Sequence, residues 1–247
     1  MALLPILLIN PEDLPEHVIV CGDPHRAKKI SEKLTNAKEL AFAREYRTFV
    51  GEYEGVRLGV VSHGVGCPGA AVCFEELAQA GVKTLIRVGT AGSFSQNYPK
   101  GSLIVSTAAV REDGLTRQLV PLAFPAVSDS TVTDTLYETA QELGGIVGKG
   151  ITATIDAFFP GVLELPIEVY KKAGVLAVEM EISALFVIAS LRGMRAGAIV
   201  ALDGNESAEQ QPYDPHTDEV AAAVDREIEA ALITLAKLAR KESASAI

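Results

Sequence analysis

Short apolar runs alternate with segments of helical periodicity from one end of the chain to the other. The apolar runs are rich in Val, Ile and Leu and are bounded by Gly, Pro, Asp or Ser, a pattern typical of buried strands. The predicted strands are HVIVCG (17–22), the hairpin of REYRTFVGEY (44–53) with VRLGVV (56–61), TLIRVG (84–89), SLIVSTAAV (102–110), KGITATIDAF (149–158), GVLAVEM (174–180) and RAGAIVALDG (195–204).

Helical segments follow most of these strands. A helix is expected to begin at Asp23-Pro24, because Pro suits the first helical turn. The other predicted helices are 68–80, 128–145, 182–193 and 217–240. Strands that alternate with helices, without a repeat or a linker, predict one α/β domain over residues 1–247, with helices on both faces of a mixed sheet.

Composition and charge narrow the class of protein. Of the 247 residues 48% are hydrophobic and 21 are Gly, as expected of a soluble α/β protein. The net charge of −10 provides no general field for nucleic acid, so an anionic substrate needs a local cluster of Arg. Three cysteines without CxxC or zinc spacing indicate a reducing cytoplasm. The N-terminal segment lacks the basic region and cleavage site of a signal peptide, and we expect neither export nor a membrane span.

One glycine-rich loop has three interpretations. Gly64, Gly66 and Gly69 fit G-x-G-x-x-G, the spacing of a dinucleotide-binding loop. An NAD site needs an Asp or Glu at the end of the next strand, but Arg87 stands there and would suit an NADP phosphate instead. The same glycines would also allow tight packing, or the close approach of backbone to another ligand.

Two arginines lie at predicted strand ends. Arg26 is in the first turn of the helix after Gly22, where free N–H groups favour an anion. Arg87 is flanked by apolar residues and followed by a Gly-rich turn with the hydroxyl of Thr90. Because burying an unpaired guanidinium is costly, either an internal carboxylate or a bound phosphate must compensate Arg87. Their shared position at the carboxyl ends of strands favours phosphate.

Three acidic residues also draw attention. Glu179 and Glu181 interrupt an apolar run, either as acids in the first turn of the next helix or as a glycosidase carboxylate pair. Asp203 follows another strand, where an ordinary turn Asp is equally expected.

Six motifs resemble the nucleoside phosphorylase family in order and spacing, namely GDPHR, FAREYRTF, SHGVGCPG, IRVGTAGS, VEMEISAL and ALDG, between Val18 and Gly204. The resemblance is to the branch shared by hexameric purine nucleoside phosphorylases and uridine phosphorylases. It implies a three-layer α/β/α fold with a mixed, partly barrel-like sheet. It also implies a homo-oligomer of dimer units, expected to be a hexamer, that uses phosphate as co-substrate and needs neither an organic cofactor nor a metal.

The resemblance assigns the phosphate site. Gly22, Arg26, Arg87 and Thr90 would bind the anion, and Arg44 would complete the site from a neighbouring subunit. Considered without the resemblance, Arg44 is as well explained as an exposed residue on a strand.

The resemblance also assigns the ribose site and the acid. Glu181 would accept hydrogen bonds from the ribose 2′- and 3′-hydroxyls, with Met180 beside the sugar and Glu179 as a neighbour. Asp203 matches the residue that donates a proton to N7 of a purine as the glycosidic bond breaks. Because an ordinary Asp is ionised at neutral pH, its pKa would have to be raised.

The base pocket favours purine. Phe158, Phe159 and Val65 match base-lining positions. Uridine-specific members carry Gln and Arg where this chain has Val162 and Glu164, and these two side chains cannot donate hydrogen bonds to both pyrimidine carbonyls.

Two departures from the family pattern remain. The segment PILLIN has no match for the family's N-terminal His, so a less polar 5′ group is conceivable, and NESAEQQPYDPHTD lacks the Arg that pairs with the acid in some bacterial enzymes. The predicted activity is phosphorolysis of purine nucleosides. The alternatives are a uridine phosphorylase, a methylthioadenosine-type nucleosidase or phosphorylase, a non-catalytic nucleoside-binding protein, and an NADP-binding protein.

Overall fold

The structure, a computed structural model, describes residues 2–159, 161–205 and 213–245. The strands in these ranges are β1 (His17–Cys21), β2 (Thr35–Ala43), β3 (Tyr46–Tyr53), β4 (Val56–Ser62), β5 (Thr84–Ser93), β6 (Leu103–Arg111), β7 (Ala126–Val127), β8 (Val147–Thr154), β9 (Ala177–Glu179) and β10 (Arg195–Asn205). The helices are α1 (Pro24–Ser31), α2 (Cys67–Gln79), α3 (Thr116–Leu119), α4 (Ser130–Glu142), α5 (Ile167–Lys172), α6 (Ile182–Arg192) and α7 (Asp218–Ser245).

The elements that the sequence failed to predict have weak apolar patterns. Strand β2 lies mostly exposed and pairs only with β3 in the described sheet, so its sequence lacks a buried run. Strand β7 and helices α3 and α5 are short. Strand β5 continues to Ser93, beyond the predicted end at residue 89, because its last residues pair with both β10 and β9.

The ten strands form one mixed sheet that is partly closed into a barrel. Strands β5, β10, β6, β8 and β9 pair in a ring, and β1, β4, β3 and β2 extend the sheet from β5. Pairing is parallel between β1 and β4, β1 and β5, and β5 and β10. The carboxyl ends of these four strands therefore meet at one edge, where ligands bind in open α/β sheets.

Helices cover both faces of the sheet, which confirms the three-layer prediction. Helices α2 and α6 pack on one face, and α1, α4 and α7 pack on the other. Alternate strand residues supply the two cores: Val18 and Val20 face α2 and α6, whereas Ile19 and Cys21 face the opposite helices. The period of two along each strand thus produces two separate hydrophobic cores.

Helix α7 is 28 residues long and lies along the sheet. Its inner stripe is apolar, with Val220, Ala223, Val224 and Ile228 buried, whereas acidic and basic residues follow its outer side. None of the helices in the described ranges combines the length and apolar character needed to cross a membrane.

Gly197 on β10 packs closely against α4. A Cβ atom added at this position would lie 2.6 Å from Cγ1 of Val132. Real carbon contacts are not this short, so Val132 and the helix would have to move. A side chain at residue 197 is therefore incompatible with the present packing of α4 on the sheet.

We predict that Gly197→Ala destabilises the protein by about 1–3 kcal/mol, the usual effect of overpacking a tight core. Urea unfolding monitored by circular dichroism measures the change. Gly161→Ala is the matched control, because a Cβ atom at Gly161 meets nothing within 4 Å. Equal stability of the two variants would contradict the packing argument.

Candidate active site

The loops after β1 and β4 are in direct backbone contact at the carboxyl edge of the sheet. The Gly64 N–H donates a 2.9 Å hydrogen bond to the Gly22 carbonyl. A Cβ atom at Gly22 would lie 3.1 Å from the Gly64 carbonyl oxygen, and Gly64 has a φ of 76°. The positive φ of Gly64 favours glycine there, and a side chain at residue 22 would press against the Gly64 carbonyl.

The glycine-rich loop binds a carboxylate of the protein itself. Gly66 is the N-cap residue of α2, with φ 92°, and its N–H donates to Glu181 Oε1 at 2.5 Å. A dinucleotide-binding loop would direct this N–H group at a pyrophosphate. In this chain the loop instead fixes the turn at Glu181.

Arg87 is buried and is paired with two internal carboxylates. Its side chain points to the α6 side of β5, with the residue 3% exposed. Nε and Nη2 lie 3.3 and 3.2 Å from Glu179 Oε2, and Nη2 also donates to Glu181 Oε2. Burial alone lowers the pKa of Arg87, but Glu181 and Glu179 raise it overall. The sequence favoured phosphate as the group that compensates Arg87, whereas the structure supplies two internal carboxylates.

The absence of a side chain at Gly89 makes room for this guanidinium. A Cβ atom at Gly89 would lie 2.9 Å from Nη2 and 3.0 Å from Cζ of Arg87. Residues 87 and 89 share a face of β5, and the Arg87 side chain extends along the strand over Gly89.

One interpretation of the sequence had both glutamates in the first turn of the next helix, but Glu181 is the N-cap residue of α6 and Glu179 ends β9. Glu179 nevertheless binds the start of the helix. Its carboxylate accepts the backbone N–H groups of Glu181 at 2.7 Å and Ile182 at 3.0 Å, and also the hydroxyl of Thr154 at 2.6 Å. Burial raises the pKa of Glu179, while Arg87 opposes this shift. The carboxylate thus binds the N-terminus of α6 and the guanidinium at once.

His63 completes the surroundings of Arg87, although sequence reasoning did not select it. Its Nδ1 lies 2.9 Å from the Gly64 carbonyl and its Nε2 lies 3.3 Å from Arg87 Nη1. A carbonyl can only accept and a guanidinium can only donate, so the proton is on Nδ1 and the ring is neutral. Burial, and secondarily Arg87, hold the pKa of His63 well below its usual value. The sequence could have indicated His63, because a histidine directly after a buried strand is a candidate site residue.

Arg26 pairs with a buried glutamate that the sequence analysis also missed. Arg26 Nη1 lies 3.4 Å from Glu227 Oε1, and the glutamate is fully buried. Burial raises the pKa of Glu227 to about 8, although Arg26 and Arg87 act in the opposite direction. The sequence could have indicated Glu227, because this acid stands where the apolar stripe of α7 would continue.

Asp203 lies at an irregularity of β10 and is 6% exposed. Its Oδ2 accepts a 3.0 Å hydrogen bond from Tyr213 Oη. Burial raises the pKa of Asp203, although its hydrogen bonds with Tyr213 and Thr90 oppose the shift. Tyr213 was not among the predicted residues, since nothing in the local pattern distinguishes it.

The predicted aromatic residues lie on the outer side of Asp203. The Phe158 ring is 5.9 Å from the Tyr213 ring and 5.1 Å from the Phe159 ring, measured between centroids. Phe159 and Val65 are 81% and 77% exposed in the single chain. The structure thus brings Phe158 to the residues around Asp203, whereas Phe159 and Val65 face outwards.

Met180 lies in the turn before α6, whereas Arg44 lies in an exposed turn between two strands. The Met180 carbonyl accepts a hydrogen bond from the Cys67 thiol, which ties the turn before Glu181 to α2. Arg44 is exposed, with φ 56°, in the turn between β2 and β3 rather than on a strand. The described hydrogen bonds and ion pairs do not connect Arg44 to Arg26 or Arg87.

The structure describes the first departure from the family pattern, the N-terminal segment, but only part of the second. The N-terminal segment packs against α2, where Glu76 accepts the N–H groups of Ile6 and Leu7 at 2.9 and 2.8 Å. Residues 206–212, which form half of the second departure, and Pro160 lie outside the described residues. Within the described ranges, His, Cys, Asp and Glu side chains form no group of three arranged to hold a metal.

Comparison with known proteins agrees with this arrangement. The model of the phosphorylase superfamily matches residues 16–240. A purine nucleoside phosphorylase of Plasmodium falciparum is 42% identical over 204 residues, covering 82% of this chain and 83% of the relative. A uridine phosphorylase of Thermococcus kodakarensis is 40% identical over 208 residues, covering 79% and 75%.

A solved structure confirms the fold. The purine nucleoside phosphorylase of Toxoplasma gondii, determined in complex with immucillin-H, has a TM-score of 0.93 and 34% identity, with 98% of each chain covered. The family resemblance inferred from the six motifs is confirmed by the same comparisons. Because the family model spans most of the sequence and relatives with 42% and 40% identity cover more than three quarters of it, this chain belongs to the phosphorylase superfamily.

Proposed function

We propose that this protein catalyses the reversible phosphorolysis of purine nucleosides. Phosphate attacks C1′, the glycosidic bond breaks, and the products are ribose 1-phosphate and the free base. The observation that carries the proposal is the cluster at one sheet edge, where two guanidinium groups pair with three buried carboxylates near an Asp whose pKa is raised. The relatives named above as purine nucleoside and uridine phosphorylases support the reaction class.

The phosphate is bound by Arg26 and Arg87, together with Gly22 and Thr90. Both guanidinium groups act on the pKa of the same buried residues, His63 and Glu227, which supports their convergence. Four of the five Arg87 N–H groups are engaged by His63, Glu179 and Glu181, which leaves one on Nη1 for phosphate. The N-terminus of α1 adds its positive dipole end.

Glu181 receives the ribose. Its two oxygens bond Gly66 and Arg87, and a carboxylate has further lone pairs for the 2′- and 3′-hydroxyls. Its negative charge also stabilises the oxocarbenium character that develops at C1′. Met180 contacts the sugar, and Glu179 supports Glu181 by binding its backbone N–H.

Asp203 protonates the departing base. Burial raises the pKa of Asp203, which favours the acid form that a general acid needs. Phe158, Phe159 and Val65 line the base. Val162 and Glu164 stand where a uridine site requires hydrogen-bond donors, and this favours purine over the uridine alternative.

The proposal includes assembly from dimer units into a hexamer. Arg44 then reaches the phosphate of the neighbouring subunit, and its exposure in the β2–β3 turn is compatible with that role. Phosphate is the co-substrate, without an organic cofactor or a metal. The three cysteines are free and buried, which is consistent with a role in purine salvage in a reducing cytoplasm.

A substrate panel tests the proposed reaction. Inosine, adenosine, guanosine, uridine and methylthioadenosine are each incubated with and without phosphate, and free base is measured. We expect phosphate-dependent cleavage of the purine nucleosides. Faster cleavage of uridine would favour the uridine phosphorylase alternative. Undiminished cleavage without phosphate would indicate a nucleosidase, and binding without turnover would indicate a nucleoside-binding protein.

Asp203→Asn should lower kcat for inosine by about 10²–10⁴-fold, the usual contribution of a general acid. The dissociation constant for inosine should change far less, because the amide retains the size of the side chain. In the unmodified protein, kcat should fall as pH rises through the raised pKa of Asp203, since the donor form is lost. Equal losses in kcat and in binding would show that Asp203 is not the acid.

Gly89→Ala should raise the KM for phosphate about 10- to 100-fold, equivalent to a lost charged hydrogen bond of about 1.5–3 kcal/mol. The new methyl group would displace the Arg87 guanidinium from its position over residue 89. Gly197→Ala is the control, because its clash is with Val132 on α4. A phosphate KM that rises equally in both variants would point to general destabilisation instead.

A further inference from the structure

Glu227 is a buried acid that the proposed reaction does not use. It lies on α7, on the opposite face of the sheet from Glu179 and Glu181, and it is fully buried. Neither of its carboxylate oxygens has a hydrogen-bond partner among the described residues, and its close contact is the Arg26 guanidinium at 3.4 Å. A buried carboxylate in this position is costly unless it is paired or protonated.

The surroundings of Glu227 are the groups of the proposed phosphate site. Arg26 on α1 contacts it, Arg87 on β5 points to the other face of the sheet and lowers its pKa from there, and β1 contributes the thiol of Cys21, whose pKa burial raises to about 12 so that it is neutral. The backbone of Gly89 on β5 and of Ala201 on β10 also lowers the pKa of Glu227, although neither group completes a hydrogen bond with its oxygens. Glu227 therefore draws on the positive charge that a phosphate would need.

Burial raises the pKa of Glu227 and the Arg26 guanidinium opposes this shift. The resulting pKa of about 8 lies within the pH range of ordinary experiments. Burial favours the neutral acid, and the two guanidinium groups favour the carboxylate. A phosphate dianion bound to Arg26 and Arg87 would offset their charge and add a negative charge nearby. Both effects favour the neutral acid further.

We propose that Glu227 is a positioning residue that holds the Arg26 guanidinium at the phosphate site and releases it, by taking up a proton, when phosphate binds. The proton comes from solvent and forms an O–H bond on one Glu227 oxygen. The inference rests on the proposed function, since it needs Arg26 to bind phosphate. If the inference holds, the protein binds phosphate more weakly at a pH at which Glu227 is ionised.

The direction of the pH dependence follows from the raised pKa. Phosphate affinity should be highest while Glu227 is neutral and should fall as pH rises through its pKa of about 8. If phosphate shifts this pKa by one unit, the affinities of the two protonation states differ about tenfold. The ionisation of phosphate itself is common to all variants, so the ratio of affinities between two variants isolates the contribution of Glu227.

The main experiment measures binding of inorganic phosphate by calorimetry to the intact protein between about pH 6 and pH 9.5, on either side of the Glu227 pKa of about 8. Glu227→Gln keeps the shape of the side chain and cannot ionise. We expect its phosphate affinity to equal that of the unmodified protein at low pH and to exceed it about tenfold at high pH. Glu229→Gln is the matched control on the same helix, because Glu229 pairs with Lys33 and Tyr53 instead.

A second measurement needs no variant. At about pH 8.5, where phosphate is almost entirely the dianion, calorimetry in two buffers of different ionisation enthalpy should detect uptake of a fraction of a proton per site. Binding without proton uptake would overturn the inference, as would parallel pH profiles for Glu227→Gln and the unmodified protein. In both cases phosphorolysis itself would stand. Failure of the unmodified protein to bind phosphate at any pH would overturn the proposed function as well.

Unfolding provides a readout that does not depend on phosphate. The folded-state pKa of Glu227 is raised from 4.5 to about 8, so its contribution to stability is fully present below 4.5 and is lost as pH rises through 8. Relative to Glu227→Gln, the unmodified protein should therefore lose stability between those two values. A constant difference across this range would contradict the inferred titration of Glu227.

Discussion

A buried guanidinium between two carboxylates is the interaction on which the site depends. Arg87 joins β5 to the turn between β9 and α6 through Glu179 and Glu181, and to the end of β4 through His63. Removing one partner of such a buried pair typically costs about 3–5 kcal/mol, because the other charge is left uncompensated. The same residues that would bind phosphate and ribose are thus also part of what fixes the sheet edge.

The local electrostatics resolve an apparent conflict between an acidic chain and an anionic co-substrate. The net charge of −10 is repulsive at long range, yet screening confines that effect to roughly 10 Å in ordinary salt. Within the site the guanidinium groups of Arg26 and Arg87 are paired with internal carboxylates before any ligand arrives. Each arginine is therefore held in position, and a phosphate at the proposed site would have to share or replace an existing partner.

This pairing connects the two faces of the sheet. Arg87 is compensated on the side of α6, whereas Arg26 is compensated from α7 on the other side. The proposed phosphate lies between these two systems, so its charge acts on both. Protonation of Glu227 and positioning of Glu181 then become parts of one electrostatic balance, although the two glutamates belong to different layers of the fold.

The sequence by itself determined the layers and the edge at which the site lies. The period of two in β1 and β10, and the apolar stripe of α7, depend on local residue order, as do the glycines at residues 22, 64 and 66. The six motifs identified the family and selected Arg26, Arg87 and Asp203, although the structure has Arg26 in the first turn of α1, Arg87 within β5 and Asp203 near the end of β10. Strand β2 was not predicted, because it is mostly exposed and lacks an apolar run.

Only the tertiary structure decided which charges meet. Arg87 and Glu179 are 92 residues apart, and the sequence favoured a phosphate over a carboxylate as the group that compensates the arginine. His63, Tyr213 and Glu227 acquire their roles through contacts with residues from other elements. Burial and pairing set the protonation state of each group, and both depend on chain segments that are remote in sequence and adjacent in space.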